Sequence, residues 1–173
     1  MNDYGTTAPS RRLLGVYLND HLAGATAGVA LARRIAKANR GSASGPPTAR
    51  LAGQIAEDRA ALLGFMRALD VRVNPLKPAT AWLGEKILRL KPNQWVFARS
   101  PLSSVVELEA LLIGVEGKDT GWRTLCAVAE YDDRLAPAEL DELRIRARRQ
   151  AEELEDLRKR SVHGILERSD ATG

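Results

Sequence analysis

Four separate stretches of this chain repeat apolar residues at steps of three and four, and that recurrence constrains the fold more than any other feature. The first contains Leu14, Leu18, Leu22, Ala25, Val29, Ala32 and Ile35. The second contains Leu51, Ile55, Leu62, Phe65 and Leu69. The third contains Val105, Leu108, Leu112, Val115, Trp122, Cys126 and Ala129, and the fourth Leu140, Leu143, Ala147, Leu154, Leu157 and Ile165. Such spacing puts every apolar residue of a stretch on one face of an α-helix. Each face needs a partner to exclude water, and four rods with one oily face each meet that need by packing as a bundle. Ala, Leu and Arg dominate while aromatics make up only 5%, which suits helices, because these residues lose little side-chain freedom there.

The breaks between stretches set the expected boundaries. Ser10 is placed to cap a first helix running to about Asn39. Arg40 to Thr48 (RGSASGPPT) is a linker, with Thr48 as cap of a second helix that ends near Asp70. Ser100-Pro101 opens the third helix, and Pro137 the first turn of the fourth. Residues 1–9 and 169–173 read as disordered tails of one domain spanning 1–173. Between helices 2 and 3, residues 71–99 form a long connection punctuated by Pro75, Pro78 and Pro92. A short amphipathic helix is expected there from Ala79 to Leu90, with Trp82 near its start and Trp95 beyond its end. Short loops force helices 1 and 2, and helices 3 and 4, into antiparallel pairs. The long connection can return the chain to its starting end and leave helices 2 and 3 parallel. Gly114, Gly117 and Gly121 weaken the third helix or permit close approach of a neighbour.

Polar residues interrupt each stripe near its middle: His21 beside Asp20, Asp58 beside Glu57, Asp119 one turn from Glu116, and Gln150 one turn from Glu153. The middles of antiparallel helices meet at one level, so His21, Asp58, Asp119 and Gln150 are expected to face one another. A buried carboxylate requires a counter-ion, hydrogen bonds or a metal. Arg33, Arg59, Arg123 and Arg149 are near enough in sequence to serve as counter-ions in a network that fixes helix register.

With four helices, one long crossover and a polar midsection, residues Ser10 to Leu166 resemble the ferritin-like superfamily. The resemblance implies an all-α four-helix bundle of ferritin-like topology, with the short extra helix lying in the crossover. Its di-iron members use a Glu from each of two helices and Glu-x-x-His from the others. This chain departs from that pattern. Leu18 stands three before His21, Arg160 stands three before His163, and the corresponding runs elsewhere are Glu57-x-x-Ala60 and Gln150-x-x-Glu153. No di-iron centre is expected. Any metal held instead would be an oxygen-loving ion on a set drawn from Asp20, His21, Glu57, Asp58, Glu116, Asp119 and Glu153.

Several function classes are disfavoured. Residues 1–86 carry 12 basic and 6 acidic side chains (+6), and residues 87–173 carry 14 and 16 (−2), a balance too diffuse for a nucleic-acid surface. The arginines at 144, 146, 148 and 149 are followed by Glu152, Glu153, Glu155 and Asp156, which makes a self-paired helix face. Cys126 is the sole cysteine and reads as a small core residue. No phosphate-loop, nucleophile-elbow, dinucleotide or zinc motif occurs. With no membrane span or signal-like apolar run, the expectation is a cytoplasmic, non-enzymatic bundle acting through protein contacts or homo-oligomerisation, with no catalytic residue and no cofactor. The alternatives are a metal-binding or redox ferritin-like protein on the ligand set above, and a small-molecule pocket under the crossover, lined by Trp82, Trp122 and the central carboxylates.

Overall fold

The computed structural model describes residues 11–74 and 101–170. Four helices account for nearly all of them: α1 (Arg11–Ala38), α2 (Gly45–Ala68), α3 (Pro101–Ala129) and α4 (Pro137–Asp170). There is no strand among the described residues. The protein is an all-α four-helix bundle, as the apolar spacing predicts. The short helix expected over Ala79 to Leu90, together with Trp82, Trp95 and the Ser100 cap, lies outside the described residues. Helix α4 runs to Asp170, so the last turn takes in Ser169, which the sequence had placed in a tail.

Side-chain pairs fix the helix directions. Tyr17 Oη donates to Thr124 Oγ1 at 2.9 Å, and Arg34 pairs with Glu107 at 2.7 Å, so α1 and α3 run antiparallel. Arg50 meets Glu153 and Arg146 meets Glu57, so α2 and α4 are antiparallel too. Along α2 and α3, by contrast, Asp58 meets Lys118 and Phe65 meets Trp122, which makes these two helices parallel. The end of α2 and the start of α3 therefore lie at opposite ends of the bundle. Two antiparallel hairpins, α1–α2 and α3–α4, are laid against each other.

The turns show why the chain reverses where it does. Gly41 adopts a positive φ of 79°, open to glycine at little cost, just after α1. The Pro46-Pro47 pair enters the first turn of α2, where proline loses no hydrogen bond. That moves the helix start to Gly45, three residues before the expected cap. Thr48 is consequently inside the helix, and its hydroxyl donates back to the carbonyls of Ser44 and Gly45 at 2.7 and 3.0 Å. At the other end of α2, Asp70 takes a left-handed φ of 56°. The Val71 and Asp70 amides donate to Met66 and Arg67 carbonyls, closing the helix with the paired bonds of a Schellman motif. Asn19, buried on α1, then pins the departing chain. It donates to the Arg72 carbonyl at 3.0 Å and accepts from the Asn74 amide at 2.7 Å.

The core follows the predicted stripes closely on α2 and α4. Leu51, Ile55, Asp58, Leu62, Phe65 and Leu69 are all buried, as are Leu140, Leu143, Ala147, Gln150, Leu154 and Leu157. On α3 the face is turned. Leu111 and Leu125 are buried, while Leu112, Asp119 and Cys126 are only half-buried. The seam therefore runs 108, 111, 115, 118, 122 and 125 rather than through 112, 119 and 126, and this one-residue difference brings Lys118 inward.

Candidate functional site

The polar midsection is real, but its membership differs from the sequence expectation. Asp58 on α2 and Gln150 on α4 are each 1% exposed. Between them comes Lys118 from α3, whose ammonium donates to both Asp58 Oδ2 and Gln150 Oε1. Gln150 Nε2 in turn donates to Asp58 Oδ2 at 3.1 Å and to Gln54 Oε1 at 3.3 Å. The second carboxylate oxygen, Asp58 Oδ1, lies against the Arg146 guanidinium of α4 without hydrogen-bond alignment. Arg146 also reaches Glu57 at 3.5 Å. Three helices are thus tied at one level by a lysine, a carboxylate, an amide and an arginine.

This layer supplies the partners that a buried carboxylate demands. The cations are Lys118 and Arg146. Of the arginines expected to serve, Arg59 donates instead to Thr26 Oγ1, and Arg123 pairs with Asp119 at 3.3 Å near the surface. Burial pushes the Lys118 ammonium below its ordinary pKa, and the adjacent Asp58 carboxylate works against that push.

The other expected members sit elsewhere. Asp119 lies one position round the helix, among Arg123 and Arg144. Glu116 and Asp20 are exposed, Glu57 is largely solvated, and Glu153 is half-buried against Arg50. His21 faces the same interior space as Asp58 and Lys118 but makes its contacts with rings and backbone. It packs 4.4 Å from the Tyr17 ring, and a Cβ built on Gly121 would stand 2.9 Å from its Nδ1. Gly121 is the glycine of α3 that permits close approach. At Gly114 and Gly117 an added Cβ would meet nothing within 4 Å. Among the described residues, no three His, Cys, Asp or Glu side chains converge as a metal site needs. Lys118 carried no sequence signal of its own. Its only clue was that Leu111 and Leu125, seven residues to either side of it, could form the buried line as well as Leu112 and Cys126.

Two predictions follow from these contacts. Lys118→Met leaves the buried Asp58 with only the Gln150 amide and a misaligned guanidinium, and is expected to lower unfolding free energy by about 3 kcal/mol. Asp58→Asn costs less, and the double variant loses less than the two singles together, with a coupling of about 1 kcal/mol or more in denaturant titrations. Simple additivity would dissolve the network as described. For His21, burial lowers the pKa below 6.5, with Asp20 opposing. The unfolded chain then takes up a proton more readily than the folded one. The stability tied to this neutral imidazole is present above the unfolded pKa and is lost as pH falls through the lower folded value. Melting temperature is expected to drop between about pH 7 and pH 5, and His21→Gln to flatten that part of the profile. No protein-family model matches the chain, and no curated protein or solved structure does so either, so its function is read from these residues themselves.

Proposed function

We propose that this chain is a non-enzymatic helical bundle of ferritin-like plan that works by self-association through one end of the bundle. The observation that carries the reading is an apolar groove of about 940 Å³ at the end where α1 starts and α2 and α3 finish. Val16, Val73 and Tyr131 line it while remaining 47%, 47% and 69% exposed. Apolar side chains gathered in one concave place, rather than scattered, mark a contact surface. Charge surrounds the groove: Arg134 is already engaged with Asp70 and Asp132, and Arg11, Arg12 and Arg72 stand beside them. Hydrogen bonds from Arg134 hold the Asp132 carboxyl down at about 2, so this rim keeps its charge pattern across the physiological range.

The ferritin-like plan is supported by the parallel run of α2 and α3. The metal-binding alternative is weakened by the same geometry, because Asp58, the one fully buried carboxylate of the expected ligand set, is already met by Lys118 and Arg146. No helix among the described residues is long and apolar enough to cross a membrane. The cytoplasm is proposed as its compartment, which agrees with a fold that needs no disulfide, since Cys126 is free.

Sedimentation velocity over a range of concentrations tests this function. The wild-type chain is expected to associate reversibly. Val16→Asp combined with Tyr131→Asp is expected to remain monomeric with an unchanged helical spectrum. A wild-type chain that stays monomeric at every concentration, or a double variant that associates equally well, would refute the proposed role.

A further inference from the structure

Beside the polar layer, α1, α2 and α3 line a cavity of about 570 Å³ that is partly open to solvent, within the range of small-molecule sites. Its walls are apolar, built by Leu18, Leu31, Ile55, Leu62, Leu111 and Leu125. Glycines make the room. Gly24 and Gly28 on α1, and Gly114 and Gly117 on α3, all line it, and a Cβ added at any of the four would meet nothing within 4 Å. Helix interiors disfavour glycine relative to alanine, and here no close contact accounts for these four.

Lys118 and Trp122, one turn apart on α3, both line this space. Trp122 is 2% exposed, and its indole N–H has no acceptor. Leaving such a donor unsatisfied is costly, so it marks a place where an acceptor belongs. Lys118 gives two of its three ammonium protons to Asp58 and Gln150, and it too lines the cavity. The charged groups around the space are Asp20 and Asp58 against Arg59 and Lys118, with Arg146 behind Asp58. The charges that line the space cancel, Arg146 is shared with Glu57, and His21, which also lines it, is held toward its neutral form by burial.

We propose that this cavity binds an apolar monocarboxylate, with its chain along the glycine-lined walls and its carboxylate accepting from the Trp122 indole and the Lys118 ammonium. This goes beyond self-association at the bundle end and does not depend on it.

Isothermal titration calorimetry of the full-length chain with dodecanoate, kept below its micelle concentration, tests the idea. Dodecyltrimethylammonium serves as a control of the same tail and opposite charge. Saturable one-to-one binding of dodecanoate is expected, at least about tenfold tighter than the cation. Gly114→Leu and Gly28→Leu fill the cavity from opposite walls. Both are expected to fold with an unchanged or higher melting temperature and to weaken binding by about tenfold or more. Trp122→Phe keeps an aromatic ring, removes the donor, and is expected to weaken binding about fivefold. Absence of saturable binding, equal affinity for the cation, or undiminished binding in both leucine variants would overturn the proposal. So would a lower melting temperature in both leucine variants, which would mean that the chain itself fills the space.

Discussion

A carboxylate with almost no contact with water has to be held by something, and much of this bundle's arrangement follows from how Asp58 is held. Its charge is met by the Lys118 ammonium from one neighbouring helix and the Arg146 guanidinium from another, while Gln150 bonds to both the lysine and the carboxylate. The cost of taking an ammonium and a carboxylate out of water is offset only when they meet directly with their hydrogen bonds made, so the three helices must meet at this height and in this rotation. Leucine against leucine tolerates a slide of one turn. A lysine that must reach a carboxylate and an amide at once does not.

That requirement also bears on topology. Asp58 and Lys118 are brought together across α2 and α3, the two helices that run parallel and that no short loop connects. The outer pairs, such as Arg50 with Glu153 and Arg34 with Glu107, lie nearer solvent and add less individually. They repeat the same register without setting it. The interior cation gives the midsection a positive charge supplied by the chain itself, where a metalloprotein would bring one in from outside. Next to it, four glycines hold open a space that the leucines around it do not fill.

Much of this was legible in the sequence. The stripe of α4, with Gln150 in it, could be read residue by residue because most of its flanking positions are charged; on α2 the stripe with Asp58 was also legible, but its apolar flanks hid the buried Ala52 and Met66. The α3 stripe was not decidable. Leu111 and Leu112 are both apolar, as are Leu125 and Cys126, so two faces one residue apart fit equally well. Choosing between them decides whether Asp119 or Lys118 points inward, and hydrophobic spacing contains no information on that. The answer came from the charge already inside: Asp58 needs a cation, and Lys118 is the one within reach from α3. Asn19 was hidden for a different reason, since it bonds to backbone of residues 72 and 74, a tertiary contact without periodicity. Thr48 misled because a cap residue and a first-turn residue have the same composition. Only the proline pair before it, read as first-turn residues rather than as a stop, distinguishes the two.

The most direct test of the interior ammonium is to observe its protons. In nitrogen-15 spectra of the protein, exposed lysine ammonium groups exchange too fast with water to be seen. The structure predicts a slowly exchanging ammonium signal from Lys118, with through-space contacts to the side-chain amide of Gln150, absent in Lys118→Met. Fast exchange at every lysine, or a protected ammonium without contact to Gln150, would contradict the account at its centre.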